Sequence, residues 1–494
     1  MIRYIFFKEL QIALLNKRLA VSCLVLVVLM IAGGMVFEKR YRSMQHEYEE
    51  FMLQEGQGIE LITKTKQKEI DNMLQKGISI PQARIDERLK LTLGDLIFVS
   101  RNISKEPSKL SFISSHNSSL PNGLEMNYFR ISIPQTYTTY NQYFRSFVAL
   151  DWANIIMYFL SFICLCFAYD AFSGEKQNGT LKLMIASGVP RRKILLGKLF
   201  ALWSILLAPV VVGIIIHLLI LQLSTSIELL PADYYKVLVF FLATVLFVGI
   251  NILLYFAISI LTSRPSVSSI VCLLVWIVLV FVLPGTGWMI AGKLHAMPGI
   301  AEQNLREETL LKDADDKTIY WSDRWRDQWE EHAEDVRKFK NKCDRMENVH
   351  KEIWDEYRNK LFRQTDASIA LSKVSPFIVF RFIGDRIADN NYYGYRNFHQ
   401  QAVAYQDAYQ SFIVNKDAAD PKSLHLIWNH PTERSRRFIS NAAINPSEVP
   451  VFTYKSPNIS TLLHNSLVDI SILLLWWGVL FGVVFFAFIR YDVR

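Results

Sequence analysis

Six apolar runs of about 20 residues leave this 494-residue chain few ways to fold. They fall at 19–37, 150–169, 199–223, 237–261, 267–290 and 467–489. A helix rising 1.5 Å per residue needs a run of about this length to cross roughly 30 Å of hydrocarbon. Apolar residues make up 51% of the chain, and they are gathered into these runs rather than spread with the period of a soluble core. The first run is too long for a secretory signal and lacks the small-residue cleavage site of one, so it is expected to be retained as a span. The pattern predicts a mainly α, polytopic membrane protein. It has six transmembrane helices and a two-part, mostly helical α+β domain made of residues 38–147 and 291–464.

Charge sets the expected orientation. Outside the two long insertions there are 14 Lys and Arg, and if the spans alternate, 13 of them share one side, with Lys236 alone opposite. Lys and Arg close to span ends stay in the cytoplasm, whereas long loops translocate largely regardless of charge. Both termini and the segment 172–198 are therefore expected in the cytoplasm, with both insertions outside. The net charge of +8 belongs to this basic rim and gives no argument for nucleic-acid binding. Cys23, Cys164, Cys166 and Cys272 sit in the apolar runs. Cys343 is the only cysteine in the insertions, so no disulfide can form within them.

Residues 172–198, FSGEKQNGTLKLMIASGVPRRKILLGK, form a charged, Gly-bearing connector clamped between the second and third runs. Glu175, Gly179-Thr180, an apolar stretch, the basic cluster Arg191, Arg192 and Lys193, and the closing Gly197-Lys198 follow one another in the order E-x-x-x-G-T and R-x-x-x-L-x-G-K. In this order, and between two spans, they resemble the ATPase-docking segment of ABC-2 type transporter permeases. Residues 1–18 place Ile2, Ile5, Phe6, Leu10 and Ala13 on one face, as in a helix lying in the membrane interface. A similar interfacial helix precedes the first span in that family. The ending FAFIRYDVR, LSKVSPF at Leu371 and VPVFTY at Val449 resemble a subgroup with large extracytoplasmic insertions.

The resemblance implies a permease, in most such families an exporter, working in the bacterial plasma membrane as a homodimer or heterodimer. It implies two copies of a separate ABC ATPase that carry the ATP and Mg, with no cofactor bound by this chain. Glu175, Gly179, Thr180, Arg191, Arg192, Lys193 and Lys198 are the implied ATPase-coupling residues. A negative charge at Glu175 also suits the start of a helix, and Gly179 suits a tight turn. The basic cluster has a second use, binding anionic lipid headgroups.

The insertions show their own periodicities. Phe37, Tyr41, Met44, Tyr48 and Phe51 continue the first span as an amphipathic helix, which Gly56 and Gly58 are expected to end. Trp321, Trp325, Trp329, His332, Val336, Phe339, Cys343 and Met346 keep a similar rhythm, and the two stripes can pack as an antiparallel pair. The tryptophans also suit a ligand-binding face, but their heptad spacing favours a packing role. Short strands are expected at LIFVS (Leu96), KLSFIS (Lys109) and YFRISI (Tyr128), with 449–454 as a possible partner, and a further amphipathic helix at 395–412.

Catalytic patterns are missing. HEYEE at His46 lacks the second histidine of a zinc-protease motif. Gly174 and Gly179 have Walker spacing without the Lys-Ser/Thr that follows it, and there is no GxSxG. Polar residues inside apolar runs are functional candidates because they are costly there. His217, Asn251 and Asp469 are the three. Each also has a structural use, Asn251 in an interhelical hydrogen bond and the other two near an interface. Two other function classes fit a chain of this kind: a membrane-anchored receptor or assembly scaffold acting through its ectodomain, and an integral membrane enzyme.

Overall fold

The computed structural model describes residues 2–76, 81, 85, 89–115, 123–132, 150–224, 227–322, 325, 328, 331–390, 392–429 and 438–491. Among these described residues six helices are long and apolar enough to cross a membrane: Lys17–Met52, Trp152–Gln177, Arg191–Leu223, Pro231–Leu261, Pro265–Leu294 and Ser466–Arg490. They are numbered spans 1 to 6 below. Local chemistry sets several of their starts. The Asn16 side chain accepts from the Arg18 amide at 3.0 Å, Asp233 accepts from the Leu230 amide at 3.0 Å, and Pro231 and Pro265 open spans 4 and 5, where a missing N–H costs nothing. Span 4 lies at the centre, packed against spans 2, 3, 5 and 6.

The bundle has two distinct ends. At one, the N-terminal helix Ile2–Leu14 lies against span 3, where a β-carbon on Gly197 would come within 2.7 Å of Ile5. The connector and the end of span 6 meet there as well. At the other end the insertions close over the bundle. The first amides of span 2 are satisfied by insertion backbone, Trp152 N–H donating to Phe112 O and Ala153 N–H to Ile113 O, both at 2.9 Å. This removes two of the four orphan donors of a helix start.

The two insertions share one core. The antiparallel strands β1 (Arg101–Ser104), β2 (Gly123–Met126) and β3 (Ile131–Ser132) form a small sheet in that order, with Arg101 opposite Met126 and Glu125 opposite Ser132. Ile103, Leu124 and Met126 from the first insertion are buried with Phe398, Tyr405, Tyr409 and Ile413 of the helix Tyr392–Ala418 in the second. Tyr409 Oη donates to Leu96 O at 2.8 Å.

Several local expectations give way to tertiary context. The helix of span 1 runs through Gly56 and Gly58 to Gln75; glycine costs only about 1 kcal/mol in a helix interior, and the residues around this pair are good helix formers. LIFVS is not a strand, because Thr92 and Asp95 form a capping box that starts a helix, Leu93–Phe98. KLSFIS makes turns, and 449–454 joins no strand among the described residues, although Pro450 O accepts from Arg101 and from Tyr405. Of the Tyr128 segment, Ile131–Ser132 pairs.

Among the described residues, the tryptophan stripe does not pair with the span-1 helix either. Its helix begins only at Ala333, runs to Ser372, and packs on Leu283–Leu294 and Ile300–Ala314. Trp321 and Trp325 precede it and form an aromatic core with Phe339, Trp428 and Phe438. They are therefore packed, half-buried, against a core; Trp329 lies outside the described residues.

From Ser372 the chain turns into a helix, Pro376–Ile387, that wedges between the spans. Phe377, Val379, Phe380 and Ile383 are fully buried in it, and Phe380 stacks on Phe247 of span 4 at 4.4 Å. Spans 2 and 5 each loosen into a π-helical stretch beside the wedge, at Ile155–Leu160 and Val278–Val282. Ser375 Oγ donates to Leu279 O, a carbonyl of the second stretch, at 2.6 Å. π-Bulges re-aim side chains in this way where a straight helix would not fit.

Within the insertion core, Arg358 Nη1 lies 2.8 Å from His399 Nε2, which must therefore act as acceptor. Burial, assisted by Arg358, pushes the His399 imidazole down to about 4. An unfolded histidine titrates near 6.5, so the folded state excludes a proton that the unfolded state takes up between those values. This stabilising contribution is complete above pH 6.5 and is lost as pH falls towards 4. His399→Gln keeps a neutral acceptor and should melt with a shallower decline between pH 6.5 and 4.5 than the wild-type protein in detergent. Identical slopes would show that His399 is not the group responsible.

Candidate functional site: the connector and its anchor

The connector is built from two short helices, Ser173–Gln177 and Thr180–Ala186, before span 3 starts at Arg191. Gly179 (φ 71°) and Gly188 (φ 78°) flank the second helix in the left-handed region. Glycine occupies that region without penalty, whereas a β-branched residue is strained there. A β-carbon on Gly179 would meet no atom within 4 Å, so the requirement there is conformational rather than steric.

Five polar side chains of the connector, Ser173, Glu175, Lys176, Arg191 and Lys198, turn inward. Lys198 is almost fully buried, with 7% of its side chain exposed, and its ammonium lies 2.7 Å from Glu175 Oε1 and 2.9 Å from Glu9 Oε1. This triad ties the N-terminal helix, the connector and span 3 together at one point. A buried ammonium needs such company, because an unpaired charge there would cost several kcal/mol. The amides of Phe172 and Ser173 donate to Ser259 Oγ of span 4 at 3.1 and 3.0 Å. Lys176 donates to Thr262 O at 3.1 Å and to Ile260 O, and it lies 4.4 Å from the Tyr491 ring centre. Arg191 binds the carbonyl end of span 6, donating to Tyr491 O at 2.8 Å and also to Ile489 O. A cation there meets the negative end of the helix dipole.

The second short helix has an inner and an outer face. Leu181 is buried, and Met184 and Ile185 pack on the bundle core. Thr180, Lys182, Arg192 and Ser187 are exposed, and Lys193 is half-buried. Leu183 is 71% exposed in the middle of them. Thr180 Oγ1 donates back to Glu175 O at 3.3 Å.

The three intramembrane polar residues do not converge. His217 Nδ1 accepts from Trp152 Nε1 at 2.7 Å, and its ring sits where a β-carbon on Gly34 of span 1 would come within 2.9 Å. Asn251 donates to Phe247 O at 2.8 Å and meets Tyr255 Oη at 3.3 Å. Asp469, fully buried in span 6, has Lys373 Nζ at 2.6 Å and Arg386 Nε at 3.2 Å, one on each flank of the wedge helix. Neither cation is aligned for a hydrogen bond to it, so the clasp is held by charge. It fastens the second insertion to span 6.

A family model for ABC-2 family transporter proteins matches residues 3–493, nearly the whole chain. The chain belongs to the ABC-2 transporter family. It is thus a permease component of an ABC transporter, a membrane transport subunit whose family works with an ABC ATPase. None of the curated proteins matches it.

Sequence inspection missed two features of this permease. Glu9 is the only acidic residue among the first 37, which was the available signal for a buried basic partner. The fully buried Asp151 and Asp385, close to Arg381 at the insertion end, had no such signal. Their meeting depends on how the wedge helix lies over the start of span 2.

Removing the ammonium should expose the role of the triad. Lys198→Met leaves Glu9 and Glu175 facing each other without a cation and should destabilise the purified permease by about 3 kcal/mol. Adding Glu9→Gln and Glu175→Gln to the same chain should restore much of the loss. A melting temperature unchanged in Lys198→Met would dismiss the triad as an anchor.

Proposed function

We propose that this chain is the permease subunit of an exporter in a bacterial plasma membrane, moving a substrate not yet identified. The connector end is cytoplasmic with both termini, and the insertions are extracytoplasmic. A separate ATPase, in two copies and loaded with ATP and Mg, docks on the connectors of two permease chains. The observation that carries this reading is Leu183, 71% exposed beside Lys182 on a helix flanked by left-handed glycines at the basic end of the bundle. A lone exposed leucine needs no explanation. One at the tip of a two-helix elbow, among exposed Thr180, Ser187 and Arg192, offers an apolar anchor with a polar surround, as a docking contact needs.

The inward-facing residues supply the transmission. Glu175 and Lys198 bind the elbow to span 3 and the N-terminal helix, and Arg191 binds it to span 6. A push on Leu183 is then shared by several spans as rigid-body tilting. In this assignment Glu175, Lys198 and Arg191 couple by holding the elbow, whereas Thr180, Lys182, Leu183, Arg192 and Lys193 meet the ATPase. Gly179 sets the angle between the two short helices.

Orientation is tested by single cysteines at the exposed Ser187 and Ser411 in a chain lacking its own five. An impermeant thiol reagent added to intact cells should label Ser411→Cys and spare Ser187→Cys. Labelling of the Ser187 site would reverse the topology.

Docking is tested by Leu183→Asp and Gly179→Val in the complex purified with its ATPase. Leu183→Asp buries a charge in the contact and should reduce complex yield or coupled turnover by at least tenfold, about 1.4 kcal/mol, without changing the melting of the isolated permease. Gly179→Val should reduce coupling while the spans still insert. Wild-type yield and turnover in both variants would favour a receptor or scaffold role for the chain.

A further inference from the structure

A groove opens beside the connector, between the start of span 1, the end of span 2 and the first turns of span 3, with a cavity volume of about 580 Å³. This lies within the roughly 300–1,000 Å³ of sites that hold small molecules. Its wall is apolar, formed by Leu19, Leu165, Phe167, Leu202, Ile205 and Phe256. Its rim carries charges of both signs: Arg18 and Asp170, with Glu9 and Lys198 deeper in. The deeper two are already engaged with each other at 2.9 Å. Asp170 and Arg18 are exposed, and among the described residues neither side chain makes a close ion pair, the nearest charge acting on Asp170 being the Lys198 ammonium.

We infer that this groove is a binding site for a zwitterionic aminophospholipid, with Arg18 on its phosphate, Asp170 on its ammonium and its acyl chain along the apolar wall. Each part of the site selects one part of that molecule. An apolar wall made from four spans lies level with lipid chains, and a polar rim at the span ends lies level with headgroups. A guanidinium pairs readily with phosphate. A carboxylate at the same rim repels a purely anionic headgroup and accepts hydrogen bonds from a primary ammonium. The two rim charges therefore favour phosphatidylethanolamine over phosphatidylglycerol. A methylated phosphatidylcholine headgroup, which has no N–H to donate, is also disfavoured. The apolar wall commits the site to a lipid rather than to a free headgroup. The groove borders the Glu9–Lys198–Glu175 triad, so an occupant would touch the same elements that hold the connector. The inference rests on the membrane-spanning architecture and not on the docking of an ATPase.

The test uses the full chain in phosphatidylcholine nanodiscs doped with phosphatidylethanolamine or phosphatidylglycerol carrying a photoactivatable acyl chain. Cross-linked peptides are then mapped. Phosphatidylethanolamine should label the peptides around Leu19 and Phe167 more than phosphatidylglycerol does. Asp170→Asn should lower that labelling about tenfold, the worth of one hydrogen bond to a charged group, and should leave phosphatidylglycerol labelling no lower than in the wild type. Arg18→Gln should lower labelling by both lipids. Both side chains are exposed, so the variants should melt as the wild type does. Excess glycerophosphoethanolamine, the headgroup without chains, should not compete. Equal labelling by the two lipids, unchanged labelling in both variants, or displacement by glycerophosphoethanolamine would each overturn the assignment. None of these readouts requires the ATPase, so failure here leaves the docking proposal standing, and failure of docking leaves this one standing.

Discussion

A bilayer interior offers no water to a backbone amide or carbonyl, and the architecture of this permease follows from that constraint. Each span must satisfy its own polar groups by being helical, so the irregular chain is pushed to the two ends, where protein groups take over from water. At the insertion end, the carbonyls of Phe112 and Ile113 receive the first amides of span 2. At the connector end, Ser259 receives the amides of Phe172 and Ser173, and Arg191 covers the carbonyls that close span 6. Both connecting regions are thereby fixed to the bundle by the same groups that would otherwise be orphaned.

The same economy governs the buried charges. Lys198 with Glu175 and Glu9, and Asp469 with Lys373 and Arg386, each gather one central charge and two opposite ones from different elements. Such clusters add little net stability over an apolar core, but losing one member is costly. They act as specificity devices, fixing which elements meet. The first fixes the connector to span 3 and the second fixes the wedge helix to span 6. Between them runs span 4, whose Phe247 stacks on the wedge and whose Ser259 holds the connector. One helix thus touches the extremities through which a movement at either end would pass.

Much of this was legible in the chain. The six spans follow from apolar length, the connector from its glycines and basic cluster between two spans, and the helix Tyr392–Ala418 from its period. What misled were local signals that a neighbour overruled. LIFVS has strand composition, yet Thr92 and Asp95 cap a helix there. The tryptophans have heptad spacing, yet Trp321 and Trp325 lie before the helix and pack on Trp428 and Phe438, far downstream in the chain. Glu175 is read from sequence as a charge suited to a helix start, and it is turned inward by Lys198, 23 residues away.

The sequence by itself determined the fold class, the number of spans and the place of the connector, because these depend on hydrophobic length and on turn chemistry, which are local properties. Only the tertiary structure decided which connector residues face out. A short amphipathic elbow offers Glu175, Lys182, Leu183 and Arg191 alike to solvent or to protein, and the choice is made by what stands beside them. Lys198, itself held by Glu9, claims Glu175, and the end of span 6 claims Arg191. Leu183, with no protein neighbour to cover it, is left at the tip. Ion pairs and burial act over distance in space rather than along the chain, so they become visible only once the spans are assembled.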